Sequence, residues 1–519
     1  MSNASSLGKL PIPYAPRNDA GNTELFIRAA KGRFKYDLTR ERWLRWDQHR
    51  WADGLAVFSE VHDLAVRVGL IREQLLDRWL EAVGSKWEQP KREKWQGDEL
   101  AFARSSRNDQ RVRAIIRQAS HAASIRVEGT DWDADPYLLG VRNGVIDLRT
   151  GELRNGHPRD RILKHCPVSY DPAAGIYQPY VDFLRFILGD DDTQVDWMQR
   201  ALGLSLSGLA RKLLIYLYGP QGDNGKTTLM NITVSLLGDY ACRKYPVEDL
   251  MAVAGAQQGG CTPYRVDLPG KRMVMCSEIE KGVTLKSGHV KDLTGLEHIA
   301  VNPKNKPSFS FKPVFKLWLH GNSLPRMDAA DQAIWNRTNF IDFNAVIPKG
   351  EQNENYVAEI IEAGGPGILN FHVQGFREYL ARGLDPTARM IRVAEGHRTE
   401  SNRLASFAEE CLGIEPTGTT VNEPIYREYL HRIYRKWLHK TGQNERYALE
   451  LDSFGELLAQ LGGEKRKFGK ACRIHWLNIE LTADAREIAA AIGIEVLSNV
   501  NVKGAIQAES NGSNGQMVN

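Results

Sequence analysis

The sequence predicts an α/β protein built on a mostly parallel sheet, with an α+β block before it and a winged-helix module after it. Three observations carry that expectation. Short apolar strands at 213–217, 272–276, 315–319 and 338–341 alternate with helical segments, the pattern of a sheet whose strands are joined by crossover helices. A glycine-rich stretch, GPQGDNGKTT at 219–228, follows the first of these strands and opens a helix over 229–237. Further on, helices at 426–438 and 453–461 precede a basic stretch and strand-like residues 472–481. Helix, helix, basic ribbon is the order of a winged helix.

Length and composition set the bounds. A chain of 519 residues exceeds one core, and about 150 residues per domain gives about three domains. Apolar residues make up 42% and charged residues 25%, an ordinary globular balance that excludes a disordered, collagen-like or disulfide-stapled chain. With 68 Lys plus Arg against 64 Asp plus Glu, the net charge is only +4. No general nucleic-acid coat is expected, so any DNA contact must be local. The six cysteines (Cys166, Cys242, Cys261, Cys276, Cys411 and Cys472) are scattered, without C-x-x-C pairs or histidines at finger spacing. That excludes a disulfide framework or structural zinc and fits a reducing cytosol. No apolar run approaches the roughly 20 residues that span a bilayer, and the first residues lack a signal-peptide apolar region. A cytoplasmic protein without a membrane partner is expected.

The blocks follow from these shifts in pattern. Residues 1–20 read as a disordered leader and 501–519 as a disordered tail, both small and polar. Residues 21–195 form an N-terminal accessory block, 196–345 the sheet-bearing core, 346–400 a helical connector broken by the Gly-Gly-Pro-Gly turn at 364–367, and 401–500 the winged helix. In the accessory block, Val57, Val61, Leu64, Ala65 and Val68 recur at helical spacing in a helix over 57–83. A second helix over 104–126 carries six arginines; they either line a face paired with acids from elsewhere or bind DNA. Asn143-Gly144 between β-branched runs marks a hairpin over 138–153.

The glycine-rich loop is the sharpest feature. Strand, glycine loop and helix in that order let backbone N–H groups converge on phosphate oxygens, with the helix N-terminus adding positive potential. Gly219, Gly222, Asn224, Gly225, Lys226, Thr227 and Thr228 are the candidate nucleotide-binding residues. Lys226 is expected at the β- and γ-phosphates and the Thr227 hydroxyl on Mg²⁺. The spacing departs from G-x4-G-K-[ST], because Pro220 stands where the first glycine belongs. Either the loop holds one extra residue, with Gly219 first, or Gly222 takes the turn.

Other polar groups at strand ends complete the constellation. In the segment 272–280, an apolar strand delivers Ser277, Glu278 and Glu280; Glu278 is placed to orient Mg²⁺ or polarise the attacking water. Asn322 closes FKLWLHGN, where a buried strand delivers one amide to a γ-phosphate or lytic water. Arg337 follows 15 residues later in AIWNRTNF, placed to stabilise charge on a transferring phosphoryl group in a neighbouring subunit. Asp131, Asp133 and Asp135 form a D-x-D-x-D run that reads as structural rather than as a two-metal polymerising site. The basic stretch at 464–473 is a candidate wing for DNA or a protein partner.

In this order, GPQGDNGKTT, MVMCSEIE, VKDLTGLEHIAVNPKNKPSFSFKPVFKLWLHGN and AIWNRTNF resemble a superfamily 3 DNA helicase. The chain is similar, more narrowly, to the helicase part of phage and plasmid primase–helicases, relatives of the poxvirus replicative NTPase. NGVIDLRTGEL and WLRWDQHRW resemble that family's accessory domain. The resemblance implies an AAA+ core assembled as a hexameric ring around single-stranded DNA, using ATP and Mg²⁺ and serving phage or plasmid DNA replication. It implies catalytic roles for Lys226, Glu278, Asn322 and Arg337, with Thr227 and Glu278 at the metal. Between the second and third motifs the family carries a DNA-gripping β-hairpin; Lys291, Lys304 and Lys306 are the DNA-contact candidates here. The arginine and aromatic that relatives place near Asn302 and Pro303 are missing. Because the primase of longer relatives is not evident, a separate primase or polymerase partner is expected. A DNA-packaging motor and an origin-binding initiator are the alternatives.

Overall fold

Residues 15–21 are tied down by hydrogen bonds. Helix α1 (Asp19–Ala30) starts at Asn18, whose side chain accepts from the Gly21 amide at 2.8 Å, as an N-cap should. The buried Arg72 donates to the carbonyls of Ala15 and Pro16 at 3.2 and 2.5 Å. For residues 15–20, the expected disordered leader is therefore corrected: the cap and a buried guanidinium fix the backbone. The structure, a computed structural model, describes residues 15–494 apart from 84–86, 130–131, 251–262, 277–284, 305–307, 326, 328–330, 417, 419–420, 422–424, 442–447 and 469–472. The expected tail at 501–519 lies outside the described residues.

The N-terminal block continues with β1 (Phe34–Asp37), β2 (Arg42–Asp47), β3 (Arg50–Ala52), α2 (Leu55–Val83), α3 (Gln89–Ser105), α4 (Asp109–Ser120) and β4 (Arg126–Val127). The sheet order is β3-β2-β1-β4. Phe26, Val61, Val68 and Ile115 pack the helices together with Phe34 and Trp43. Helix α2 follows the helical spacing, since Val57, Val61, Leu64, Ala65 and Val68 are all buried. The arginine-rich helix is corrected to two helices, because the chain breaks at Ser106, whose buried hydroxyl accepts from Asn22 at 2.9 Å. Three of its six arginines meet acids: Arg107–Glu73 at 2.6 Å, Arg111–Asp19 at 3.6 Å and Arg113–Asp109 at 3.0 Å.

Strands β5 (Leu138–Val141), β6 (Gly144–Asp147) and β7 (Glu152–Arg154) form the anticipated antiparallel hairpin and one more strand. Val141 pairs with Gly144, so Arg142–Asn143 makes the turn, one residue earlier than expected. Asn143 is occupied instead by the Tyr170 backbone, donating to its carbonyl at 3.0 Å and accepting from its amide at 2.9 Å.

Helices α5 (Gln178–Leu188) and α6 (Asp192–Leu206) lead into the main sheet. It contains β8 (Leu214–Tyr218), β9 (Ala241–Tyr245), β10 (Met273–Cys276), β13 (Lys316–Gly321) and β14 (Thr338–Asp342). Between them lie α7 (Lys226–Leu237), α8 (Ser287–Leu293), the hairpin β11 (Ile299–Val301) and β12 (Phe309–Phe311), and α9 (Gln332–Trp335). The order is β14-β8-β13-β10-β9 and every pairing is parallel. Both faces of β8 are buried, and its residues alternate: Ile215 and Leu217 enter one core with α6 and α7, Leu214 and Tyr216 another with α8 and α9. This is the continuous apolar strand expected of a doubly covered parallel sheet.

The first of these cores also takes Leu139, Ile146, Leu184, Trp197, Ile368 and Phe376. The expected boundary near 195 is therefore corrected: it falls within α6, which shares one core with the sheet. Helix α10 (Tyr356–Arg382) runs unbroken through Gly364, Gly365, Pro366 and Gly367, correcting the predicted turn. These glycines serve close packing: a Cβ at Gly364 would sit 2.1 Å from the Tyr177 ring. Likewise Gly203 of α6 and Gly375 of α10 face each other, a Cβ on either meeting partner backbone at 2.1 Å. Where β10 and β13 begin, Arg272 donates to Leu206 and Leu138 carbonyls at 2.5 and 2.6 Å, and Lys316 to Ser207 at 2.6 Å. These cations bind the C-terminal carbonyls of α6, the favourable end for positive charge, although burial pushes the Lys316 pKa well down.

Helix α11 (Ala388–Cys411) crosses the expected boundary at 400, and its Leu404, Phe407 and Cys411 enter the C-terminal core. That core is completed by β15 (Leu412–Ile414), β16 (Ile425–Tyr426), α12 (Arg427–Lys440), α13 (Leu451–Gln460), β17 (Lys465–Phe468), β18 (Arg473–Trp476), β19 (Ile479–Leu481) and α14 (Ala483–Ala491). Two helices followed by the β17–β18 ribbon reproduce the predicted order, with β16-β18-β17 as one antiparallel sheet. Phe407, Tyr434, Trp437, Phe454 and Trp476 are buried aromatics of this C-terminal core. No described helix is long and apolar enough to cross a membrane.

One buried histidine makes the fold sensitive to acid. His372 of α10 lies fully buried with Nε2 3.0 Å from the Tyr180 hydroxyl, while Nδ1 has no partner among the described residues. Burial lowers its pKa from 6.5 to about 3, so the neutral ring's contribution is whole above pH 6.5 and is lost as pH falls toward 3. Between pH 6.5 and 4, this site should cost the wild type roughly 3 kcal/mol. Urea unfolding of His372→Gln should show a correspondingly shallower loss across that interval than wild type.

Candidate functional site

The glycine loop lies beyond the carboxyl end of β8, where ligands bind in open parallel sheets. The Gly219 amide donates to the Gly321 carbonyl at 3.2 Å, which sets the loop level with the end of β13. A Cβ at Gly219 would stand 2.1 Å from Asn224 Nδ2 and 2.8 Å from Lys226 Nζ. The left-handed conformations fall on Asp223 (φ 57°) and Gly225 (φ 76°), whereas Gly222 has open space around it and no positive φ. The left-handed turn thus falls on Asp223 and Gly225 rather than on Gly222, and Gly219 is the glycine that the loop's polar side chains enclose. Asp223, which tolerates the left-handed region, is further held by its carbonyl accepting from the Ile347 amide at 2.8 Å.

Lys226 begins α7 and is only 4% exposed. Its ammonium donates to the Gly219 carbonyl at 3.2 Å, to Asn224 Oδ1, and to Asn322 Oδ1 at 3.1 Å. Asn224, itself buried, donates to the Gln221 carbonyl at 2.6 Å and the Phe343 carbonyl at 3.4 Å. It therefore straps the loop to the end of β14. These three acceptors of Lys226 are neutral oxygens, dipoles that an anionic oxygen can replace. With the amides of a 12-residue helix opening beside it, the cradle fits phosphate. Thr227 is exposed and Thr228 half-buried on the first turn of α7, where the Thr227 hydroxyl could take a divalent cation bound to phosphate. Glu278, with Ser277 and Glu280, lies outside the described residues.

A second cluster sits on α8 and α9. Arg337 is 8% exposed; its Nε donates to the Ala333 carbonyl at 2.8 Å and its Nη1 to Thr294 Oγ1 at 2.9 Å and the Lys291 carbonyl at 3.4 Å. Burial lowers its pKa. Lys291 forms an ion pair with Asp331 at 2.6 Å, and that hydrogen bond holds the Asp331 carboxyl below the usual range. Asp331 also caps α9, accepting from the Ala333 amide. The hairpin between the second and third motifs is present: Ile299 pairs with Phe311 and Val301 with Phe309. Lys304 is exposed in its connecting loop, and Lys306 lies outside the described residues.

The structure thus brings Gly219, Asn224, Lys226 and Asn322 together, and places Lys291 and Arg337 in their own cluster. Several contributors carried no local sequence signal. Phe343 and Ile347 hold the loop by backbone alone. Phe183 and Ile187 of α5 press on Gly225, where a Cβ would meet Ile187 at 2.6 Å. Thr294 likewise carries no local signal, whereas the capping Asp331 does, since Asp before an apolar run marks an N-cap. Asp133, by contrast, is structural: its Oδ1 accepts from the Leu163 and Lys164 amides at 3.1 and 3.2 Å, and Asp135 accepts from the Tyr137 amide. Asp131 lies outside the described residues.

Comparison with known proteins finds similar sequences over both the N-terminal block and the sheet-bearing core. A family described as D5 N terminal like matches residues 23–189, and a family of unknown function (DUF5906) matches residues 217–337. A protein of Invertebrate iridescent virus 6 named "Putative helicase 184R" is 23% identical over 365 residues, 63% of this chain and 37% of that protein. A protein of Acanthamoeba polyphaga mimivirus, also named "Putative helicase", is 29% identical over 216 residues, 41% of this chain and 22% of its own length. A protein of African swine fever virus named "Putative primase" is 25% identical over 245 residues, 46% of this chain and 25% of that protein. The matches thus span well under half of these relatives. The apo structure of the NrS-1 C terminal region superposes with a TM-score of 0.41 at 12% identity, over 86% of this chain and 96% of that one. The sequence matches support a D5-like primase–helicase family.

The cradle makes a direct prediction. In Gly219→Ala the new methyl must displace Asn224 and Lys226, so nucleotide affinity should fall at least about tenfold, a loss of about 1.4 kcal/mol. Because the displaced groups, Asn224 and Lys226, are themselves buried, a modest drop in melting temperature should accompany that loss. Titration with a fluorescent ATP analogue beside thermal unfolding checks both.

Proposed function

We propose that this chain is an ATP-dependent DNA helicase, the motor of a D5-like replication protein. The observation that carries the reading is the bridge from Lys226 to Asn322, which joins the phosphate loop after β8 to the polar end of β13 at 3.1 Å. A γ-phosphate entering that gap would meet the ammonium and the amide together. In this reading Lys226 and Asn322 bind and orient the γ-phosphate and the lytic water, while Thr227 and Glu278 hold Mg²⁺. Magnesium, when bound with ATP, neutralises charge on the phosphates.

The core is proposed to be an AAA+ module of superfamily 3 type, acting as a hexameric ring on single-stranded DNA. Lys304 and Lys306, in the loop of the β11–β12 hairpin, would engage phosphates without reading sequence, as translocation requires. Arg337 would serve a neighbouring subunit's nucleotide. The C-terminal module is proposed to be a winged helix, with Lys465, Arg466 and Lys467 exposed along β17 as its basic wing. Priming would come from a separate primase or polymerase, and the setting would be the cytoplasm of a cell replicating phage or plasmid DNA.

Strand displacement tests the reading. Purified protein with ATP and Mg²⁺ should separate a forked duplex, and Lys226→Ala should lower both unwinding and ATP turnover at least about 100-fold, near 2.7 kcal/mol of transition-state stabilisation. ATP turnover without strand separation would point instead to a packaging or remodelling motor. Unaltered turnover in Lys226→Ala would remove the nucleotide assignment.

A further inference from the structure

Arg337 does not project from the surface as a group waiting for a neighbour would. It is enclosed, and what encloses it is the root of the hairpin. Helix α8 ends at Leu293, the next residue is Thr294, and β11 begins at Ile299. Thr294 is 1% exposed, and its hydroxyl donates to the Val290 carbonyl at 2.6 Å while accepting from Arg337 at 2.9 Å. The Lys291 carbonyl takes the same Arg337 nitrogen at 3.4 Å. On the other side, the Lys291 ammonium grips Asp331, the cap of the helix that precedes Arg337. Helices α8 and α9 are thus pinned twice, once through Thr294–Arg337 and once through Lys291–Asp331. Gly295 closes the turn tightly, since a Cβ there would meet the Lys291 carbonyl at 2.9 Å.

We propose that Thr294 is a positioning residue that parks Arg337 on the hairpin root, so that DNA pulling on the hairpin releases the arginine for ATP turnover. The inference rests on the helicase reading above. The physical sequence is short. In the absence of DNA the guanidinium is held by the Thr294 hydroxyl and two carbonyls, where it stabilises no phosphoryl transfer. A load on the β11–β12 loop moves α8, to which the hairpin is joined by five residues, 294–298. That motion strains the pins on α9 and frees Arg337 to reach out. Lys291 then acts through Asp331, as the second pin, rather than by touching DNA. The arrangement couples grip to hydrolysis and suppresses idle turnover.

The test compares ATP turnover with and without single-stranded DNA. Thr294→Val keeps the shape and removes the oxygen that accepts from Arg337. It should raise DNA-independent turnover about tenfold, the equivalent of about 1.4 kcal/mol, while the DNA-stimulated rate stays near wild type. Thr294→Ser, which keeps the hydroxyl, should behave as wild type, and Arg337→Ala added to Thr294→Val should abolish the gain. Should Thr294→Val fail to fold, Asp331→Asn, which keeps the helix cap but loses the ion pair, carries the test with an expected rise of about threefold in DNA-independent turnover. If wild-type turnover is stimulated by DNA and the folded variants keep its low basal rate, the parking proposal is overturned and the helicase reading stands. If the wild type hydrolyses no ATP under either condition, both fall.

Discussion

The site depends on one buried cation. The Lys226 ammonium, nearly withdrawn from water, is shared between the Gly219 carbonyl, the Asn224 amide oxygen and the Asn322 amide oxygen. Taking an ammonium out of water costs several kcal/mol, which dipoles repay only if they stand in the right places. The rest of the core reads as the means of standing them there. β8 ends beside β13, so that two strand ends present oxygens to the same point. Asn224 is strapped to the end of β14, which fixes a third. A loop with any of these loosened would hold the lysine less tightly, and the anion site would lose its preorganisation.

That requirement explains why the helical layer behind the sheet is packed so closely. Helices α6 and α10 touch backbone to backbone through Gly203 and Gly375, and α5, carried between the hairpin strands and α6, presses Ile187 and Phe183 on Gly225. The first turn of α7 is therefore held from below by α5 and from the side by Asn224. Arg272 and Lys316 fasten the opposite end of the sheet to the last carbonyls of α6. The N-terminal block is not a separate decoration; its last elements supply part of the core that covers the parallel sheet.

What could be read from the sequence divides by how local its cause is. Four of the five strands of the main sheet (all but β9), the glycine loop, α2 and the helix–helix–ribbon order were legible because each rests on spacing within a dozen residues. Gly364 to Gly367 read as a turn for a physical reason: glycine marks turns by conformational freedom and proline by its fixed φ and missing N–H, yet here the missing side chains admit Tyr177 and Val168, which only a distant segment reveals. The boundary near 195 failed likewise, since α6 carries no sign of which neighbour it will share a core with. Within the site, Lys226 and Asn322 were legible as strand-end chemistry, while the place of the loop's left-handed turn came only from backbone angles at Asp223 and Gly225. The burial of Arg337 came from α8, some 43 residues earlier in the chain.

The two clusters differ in a way that bears on how such a chain would work. Around Lys226 the structure spends neutral dipoles on a cation, so an arriving phosphate finds positive charge already concentrated and ordered. Around Arg337 it spends the Thr294 hydroxyl and the Lys291 and Ala333 carbonyls on a second cation, and the first two stand on or at the end of α8, the helix that leads into the hairpin. The first arrangement is anchored to the sheet at every point; the second hangs on a short helix whose far end leads into an exposed loop. Bistability is easier to place in the second, because two hydrogen bonds and one ion pair hold it and no strand of the main sheet must move. In the proposed helicase, a rigid phosphate cradle and a releasable arginine would separate binding from turnover, which is what a motor must do if grip on its track is to decide when fuel is consumed.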